Sequence, residues 1–143
     1  MAHKAETILG AIETRLGGVA ATGGRVYRGR VWPIDATELP AILVGMGQDQ
    51  VVDEQSNRYL VRELDVVVES SVQSVSNLEA ELNRLRSEVF AVLMADPTLG
   101  GLAVDLALVL DQAPEYADQD VPIATQQMLW RALYRHDNRN AEV

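Results

Sequence analysis

Apolar and polar positions alternate strictly over residues 123–136, IATQQMLWRALYRH, with Ala124, Met128, Trp130, Ala132 and Tyr134 on one side and Thr125, Gln127, Arg131 and Arg135 on the other. A period of two is that of a β-strand with one apolar face. At about 3.3 Å per residue the strand would reach on the order of 40 Å, long for a small domain. Near the start of the chain, Ile8, Leu9, Ile12 and Leu16 recur at helical spacing, which predicts an amphipathic helix over 3–16 stopped by Gly17-Gly18. The run RVYRGRVW predicts a strand over 25–32, ended by Pro33. After Pro40, AILVGMG predicts a second strand over 41–47, with Ile42, Val44 and Met46 on one face.

The polar stretch QDQVVDEQSN, 48–57, reads as a loop at the protruding tip of a hairpin, because a further strand over 58–70 follows it. In that strand Leu60, Leu64, Val66 and Val68 line one face, and Tyr59, Glu63, Asp65 and Glu69 the other. Arg62 interrupts the apolar row and is taken as the strand's exposed end. Ser76 with Glu79 has capping-box spacing, and Leu78, Leu82, Leu85, Val89 and Leu93 carry a helix as far as Asp96-Pro97. From Leu102 to Leu110 leucine and valine alternate as a strand, and the acidic loop DQAPEYADQDVP leads into the last one. The order α-β-β-β-α-β-β predicts a single α+β domain over 1–143. It would be a mainly antiparallel β-sheet with two main helices packed on it and a flexible tail from about residue 137.

Composition narrows the function. The 143 residues are 48% apolar, enough for one core, and the absence of cysteine removes disulfides and thiolate sites. No apolar run is long enough to span a bilayer, and the N-terminus lacks the uninterrupted apolar core of a signal peptide; a soluble protein made inside a cell, with no membrane partner, is expected. The formal net charge is −9, and Lys4 is the sole lysine among 12 basic residues. An acidic chain repels nucleic acid as a whole, while arginine favours bidentate pairing with carboxylates.

Candidate chemistry is sparse. His3 and His136 stand alone in sequence and make neither a metal site nor a dyad. Glu63, Asp65 and Glu69 are spaced to share a strand face rather than to converge, so a carboxylate site built on Glu63, Asp65 and Asp105 is the weakest reading. The paired glycines lack the lysine and Ser/Thr of a phosphate-binding loop, and the serines before the second helix suit capping. Tyr27, Trp32, Trp130 and Tyr134 fall beside arginines on strands, where the negative charge favours packing over base stacking. No enzyme activity, cofactor or metal is expected.

Taken in order, these segments resemble the tail terminator family of long-tailed bacteriophages, the minor tail protein U type, over nearly the whole chain. The resemblance rests on the opening helix, the stretch RVYRGRVWPIDATELPAILV, the long hairpin, the helix VSNLEAELNRLRSEVFAVLMADP, the leucine-rich strand and a closing strand ending in Tyr-Arg. It implies a structural virion protein at the head-proximal end of the tail, assembled in the host cytoplasm. Copies of the chain would form a ring, commonly a hexamer, that stops polymerisation of the tail tube protein and offers the surface that joins the head through a head-completion or neck protein. DNA would pass through the lumen without specific binding. Under that reading Asp49, Val51, Asp53 and Glu54 on the hairpin tip, with Glu115, Tyr116 and Asp118 in the acidic loop, are the expected tube contacts. By the arginine–carboxylate argument, Arg25, Arg28, Arg30, Arg131 and Arg135 are the expected contacts between subunits. A neck protein of the same virion is the alternative, and a cellular sheet-forming binding domain a more distant one.

Overall fold

The two longest alternating segments pair with each other, and the remaining elements are laid against them. In the computed structural model, which describes residues 2–29, 35–55 and 58–143, the order is α1 (Lys4–Leu16), β1 (Val26–Arg28), β2 (Ala41–Gln55), β3 (Tyr59–Gln73), α2 (Leu78–Met94), β4 (Asp105–Asp111), β5 (Glu115–Ala117) and β6 (Ile123–Asp137). The strands form one sheet in the order β1-β2-β3-β6-β4, with β5 also pairing β6. Every pairing is antiparallel except that of β1 with β2. The α+β fold with two helices over a mainly antiparallel sheet is therefore as the periodicities imply.

Both helices cover the same face of the sheet. Helix α1 buries Ile8, Leu9, Ile12 and Leu16, and α2 buries Leu82, Leu85, Val89 and Leu93. Beneath them lie Ile42 and Val44 of β2, Leu64, Val66, Val68 and Val72 of β3, Leu106 of β4, and Ala124, Met128, Trp130, Ala132 and Tyr134 of β6. Trp130 and Tyr134 are thus core residues, as the alternation requires. On the opposite face no helix covers the sheet among the described residues, and Glu63, Asp65, Glu69 and Arg131 stand there half-buried.

Several expected boundaries move. Of the described part of the expected first strand, Val26–Arg28 form β1, and Arg30, Trp32 and Pro33 lie outside the described residues. Strand β2 does not stop at Gly47: it continues through the supposed loop to Gln55, pairing Gln50 with Glu63 and Asp53 with Val61. Its polar composition misleads because this part extends past the helices, where neither face needs to be apolar; Met46, on the helix side, is already 62% exposed. Register shifts after Met46 and after Val51 accommodate extra residues, and at Gly47 a Cβ would come within 3.0 Å of the Asp65 Cβ. A three-residue strand, β5, forms inside the acidic loop. Leu106 and Leu108 share the inner face as expected, but a register shift at Val109 places Leu110 opposite Leu129, on the open face.

The capping box is replaced. Asn77 is the N-cap of α2 and makes no side-chain capping bond, while Ser74 Oγ accepts the amides of Ser76 (3.4 Å) and Asn77 (3.0 Å). The segment after β6 is hydrogen-bonded: Asn138 donates to the Arg58 carbonyl at 2.7 Å, and Lys4 donates its amide to the Ala141 carbonyl at 2.7 Å.

After α2, Asp96 organises the turn into β4. It accepts the Thr98 hydroxyl (2.6 Å), the amides of Thr98 (3.0 Å) and Gly100 (2.9 Å), and Arg15 Nη2 of α1 (3.1 Å). These donors, the Thr98 hydroxyl foremost, hold its carboxyl at about 2, below the ordinary 3.8. A carboxylate that is a stronger acid when folded stabilises the fold above the unfolded pKa of about 4, and that contribution fades as the pH falls through the folded value. Denaturant unfolding of the parent chain and Asp96→Asn should therefore differ more at pH 6 than at pH 2.5. A pH-independent difference would remove this role from Asp96.

Candidate assembly surfaces

The distal part of the β2–β3 ribbon is held by a polar network that ties it to β6. Tyr134 donates its hydroxyl to Asp49 Oδ2 at 2.7 Å, and Arg62 Nη1 lies 3.9 Å from the same oxygen. Arg62 Nε donates to His136 Nε2 at 2.8 Å. Because a guanidinium only donates, that nitrogen is the acceptor, and the imidazole proton sits on Nδ1, 2.7 Å from the Asp137 carbonyl. The histidine is 3% exposed. Burial of Tyr134, then its bond to Asp49, push the phenol upward.

Two readings are corrected by this network. Arg62 faces the helix side and joins three strands, so it does not mark an exposed strand end. His136 is a buried link rather than a terminal polar residue. The signal was present in the alternation itself: both residues fall on the apolar phase of their strands, in register with Leu60 and Tyr134.

The expected tube contacts therefore divide. Asp49 belongs to the network, with 15% of its side chain exposed, and lies in a strand rather than a loop. Val51 and Asp53 are exposed on β2 near the hairpin's end. Glu54 pairs with Leu60 through its backbone, and its side chain lies outside the described residues. Glu115 and Tyr116 are on β5 and Asp118 follows it, all exposed, with the Tyr116 hydroxyl 3.3 Å from Glu79 Oε1. Strand β3 separates the two groups, since Tyr59 at its start pairs with Asp137 while β5 sits beside Ile123 at the other end of β6. Val51 and Asp53 lie level with Tyr134 and Arg135, so at about 3.3 Å per residue their separation from β5 along the ribbon is on the order of 35 Å. The two groups cannot form one patch.

The arginines expected between subunits find partners within the chain. Arg28 grips Glu6 with two bonds of 2.8 Å, raising its own pKa and lowering that of the glutamate. Arg25 Nε donates to the Pro40 carbonyl at 3.0 Å. Arg131 Nε lies 2.9 Å from Asp65 and 3.6 Å from Glu63 on the open face. Arg135 stacks over the Tyr59 ring, 4.7 Å from its centroid. Arg30 lies outside the described residues.

Between α2 and β4 runs an open groove of about 500 Å³, with Phe90, Leu108 and Met128 as its apolar lining and the 2.6 Å pair of Arg86 and Asp111 as its polar one. Arg86 Nε and Asp111 Oδ1 are shielded and have no hydrogen-bond partner. Glu63 and Asp65 are engaged with Arg131, and among the described residues no group of three or more acidic or histidine side chains could hold a metal ion. No helix among the described residues is long and apolar enough to cross a membrane.

No protein-family model and no curated protein matches the chain. Among solved structures it is similar to a chain from the virion of a native gene transfer agent (GTA) particle, at 14% identity over 90% of this chain and 95% of that one, with a TM-score of 0.48. At that identity and score the likeness carries no weight for function.

The network makes Asp49 a structural residue. Asp49→Ala would leave the buried Tyr134 hydroxyl without its acceptor and Arg62 without its carboxylate, and should lower unfolding free energy by about 1–3 kcal/mol. Urea titration measures this, and an unchanged midpoint would return Asp49 to the list of contact residues.

Proposed function

We propose that the chain is a structural virion protein that assembles as a ring on the head-proximal end of a phage tail tube, where it stops tube polymerisation and presents the head-joining surface. The resemblance in segment order motivates this reading. One geometric observation supports it: the exposed residues expected to make contacts fall toward the two ends of one continuous antiparallel ribbon. A terminator needs two such ends, one for the tube and one for the next component toward the head. The hairpin tip, with Asp53, is assigned to the tube; the β5 end, with Glu115, Tyr116 and Asp118, is assigned to a neck or head-completion protein. The role is structural, not catalytic.

Net charge fits a channel for DNA. With −9 overall, and with Arg28 and Arg131 paired to carboxylates, a ring of such chains would repel the genome rather than bind it. The open face bearing Glu63, Asp65 and Glu69 is the candidate lumen surface. Burial first, and then the neighbouring Glu115, raise the pKa of Glu69.

The test adds the purified protein to tube protein polymerising without its terminator. Arrest at short, capped lengths is expected, and undiminished growth would overturn the proposal. Asp53→Lys should abolish capping, while Glu115→Lys with Asp118→Lys should leave capping intact and prevent attachment of heads. Loss of capping by the second pair alone would reverse the assignment of the two ends. A neck protein would join heads to tails without arresting free tubes.

A further inference from the structure

We infer that copies of this chain join head to tail by strand-edge pairing, the outer edge of β4 in one copy receiving the distal part of β2 from the next. This deepens the ring reading and rests on it for closure of the assembly, though not for the contact itself. The sheet order β1-β2-β3-β6-β4 places β2 and β4 toward opposite sides of the sheet. Strand β1 pairs with β2 only from Ile42 to Val44, and β4 pairs only with β6. Among the described residues, the outer edge of β2 beyond Val44 and that of β4 therefore have no strand partner. Such rows of amide and carbonyl groups are templates for another strand.

Natural edges are ordinarily blunted by lysine, proline or inward charge. Neither edge here carries lysine or proline; each has a register shift and β2 turns Asp49 inward, yet both edges also carry exposed apolar side chains. Val51 is 50% and Val52 41% exposed on β2; Val109 is 45% and Leu110 49% exposed on β4. Beside β4, Phe90 is also exposed and its groove opens on the helix side, the side that Val51 occupies through its pairing with Arg62. The chain thus holds both halves of the contact. A contact between two different patches of identical molecules is heterologous, so it generates rings or filaments rather than closed pairs. Each copy carries the same negative charge, so backbone pairing and apolar contact must supply the attraction, and association should strengthen as salt screens the repulsion.

The test is sedimentation velocity and mass photometry on the parent chain, Val52→Lys and Leu110→Lys. The parent should form multimers that increase with salt, and each lysine variant alone should be monomeric. An equimolar mixture of the two variants should give only dimers, because it supplies one intact β2 edge and one intact β4 edge. The substituted residues are exposed, so thermal melting should stay near that of the parent. Oxidation of the doubly substituted Val52→Cys, Val109→Cys chain, whose parent has no cysteine, should give a covalent ladder without relying on the lysine variants. A parent that stays monomeric at every concentration and salt level, or multimers unaffected by both lysines, would overturn the inference. Filaments abolished by either lysine would keep the edge contact and remove the ring. Tube capping that survives both lysines would remove the contact and keep the proposed function.

Discussion

The unbroken antiparallel ladder between β3 and β6 is the constraint on which the rest of the structure depends. It runs through fifteen pairs, from Tyr59 with Asp137 to Gln73 with Ile123, without a bulge. Strand side chains alternate with period two, so this one register puts Leu64 with Ala132, Val66 with Trp130 and Val68 with Met128 on the helix side. The same register sets Asp65 beside Arg131 and Glu69 beside Gln127 on the other. A slip of one residue would turn every apolar side chain outward and bury the ion pair, so the register is strongly specified. Helices α1 and α2 need that apolar face to bury their own stripes, β2 and β4 need the outer edges of the pair, and the length of the ladder separates the two exposed ends.

The parts of the fold that could be read from the chain are those where burial imposes periodicity. Strand β6 and helix α2 emerge almost at their observed limits because one side of each must be apolar. Beyond Met46 that demand lapses, and Asp49, Gln50, Asp53 and Glu54 carry the composition of a loop while pairing as a strand. Their order comes from the partner strand and from Tyr134, a contact across 85 positions of sequence that local pattern does not encode. The cap of α2 fails for a related reason: Ser74 and Ser76 both offer a hydroxyl within a few residues, and the direction of entry from β3 selects Ser74.

Arg62 and His136 show where the alternation was right and residue type misled. Their positions put both on the inner face, yet a charged and a titratable side chain there read as interruptions. At that end of the ribbon the inner face is closed by a hydrogen-bonded relay of Asp49, Tyr134, Arg62 and His136, with His3 at the start of α1 packed 6.0 Å from the His136 ring, instead of by aliphatic packing. The cluster is buried, with Tyr134 0% and His136 3% exposed, and it leaves Asp49 Oδ1 without a hydrogen-bond partner.

The internal use of arginine has a consequence for assembly. Arg15, Arg28, Arg86 and Arg131 each face a carboxylate of the same chain, so the cations are spent within the fold and the exterior keeps its negative excess. Two such molecules repel one another, and a contact that relied on rim charges would be opposed at every approach. Main-chain pairing is indifferent to that sign, because each edge offers donors and acceptors in equal number, and the valines and leucines beside it gain from leaving water at any salt concentration. Under the proposed function, an acidic chain that joined its own kind and let an acidic polymer pass would meet the two demands together if main-chain edges carried the joining and the negative excess faced the channel.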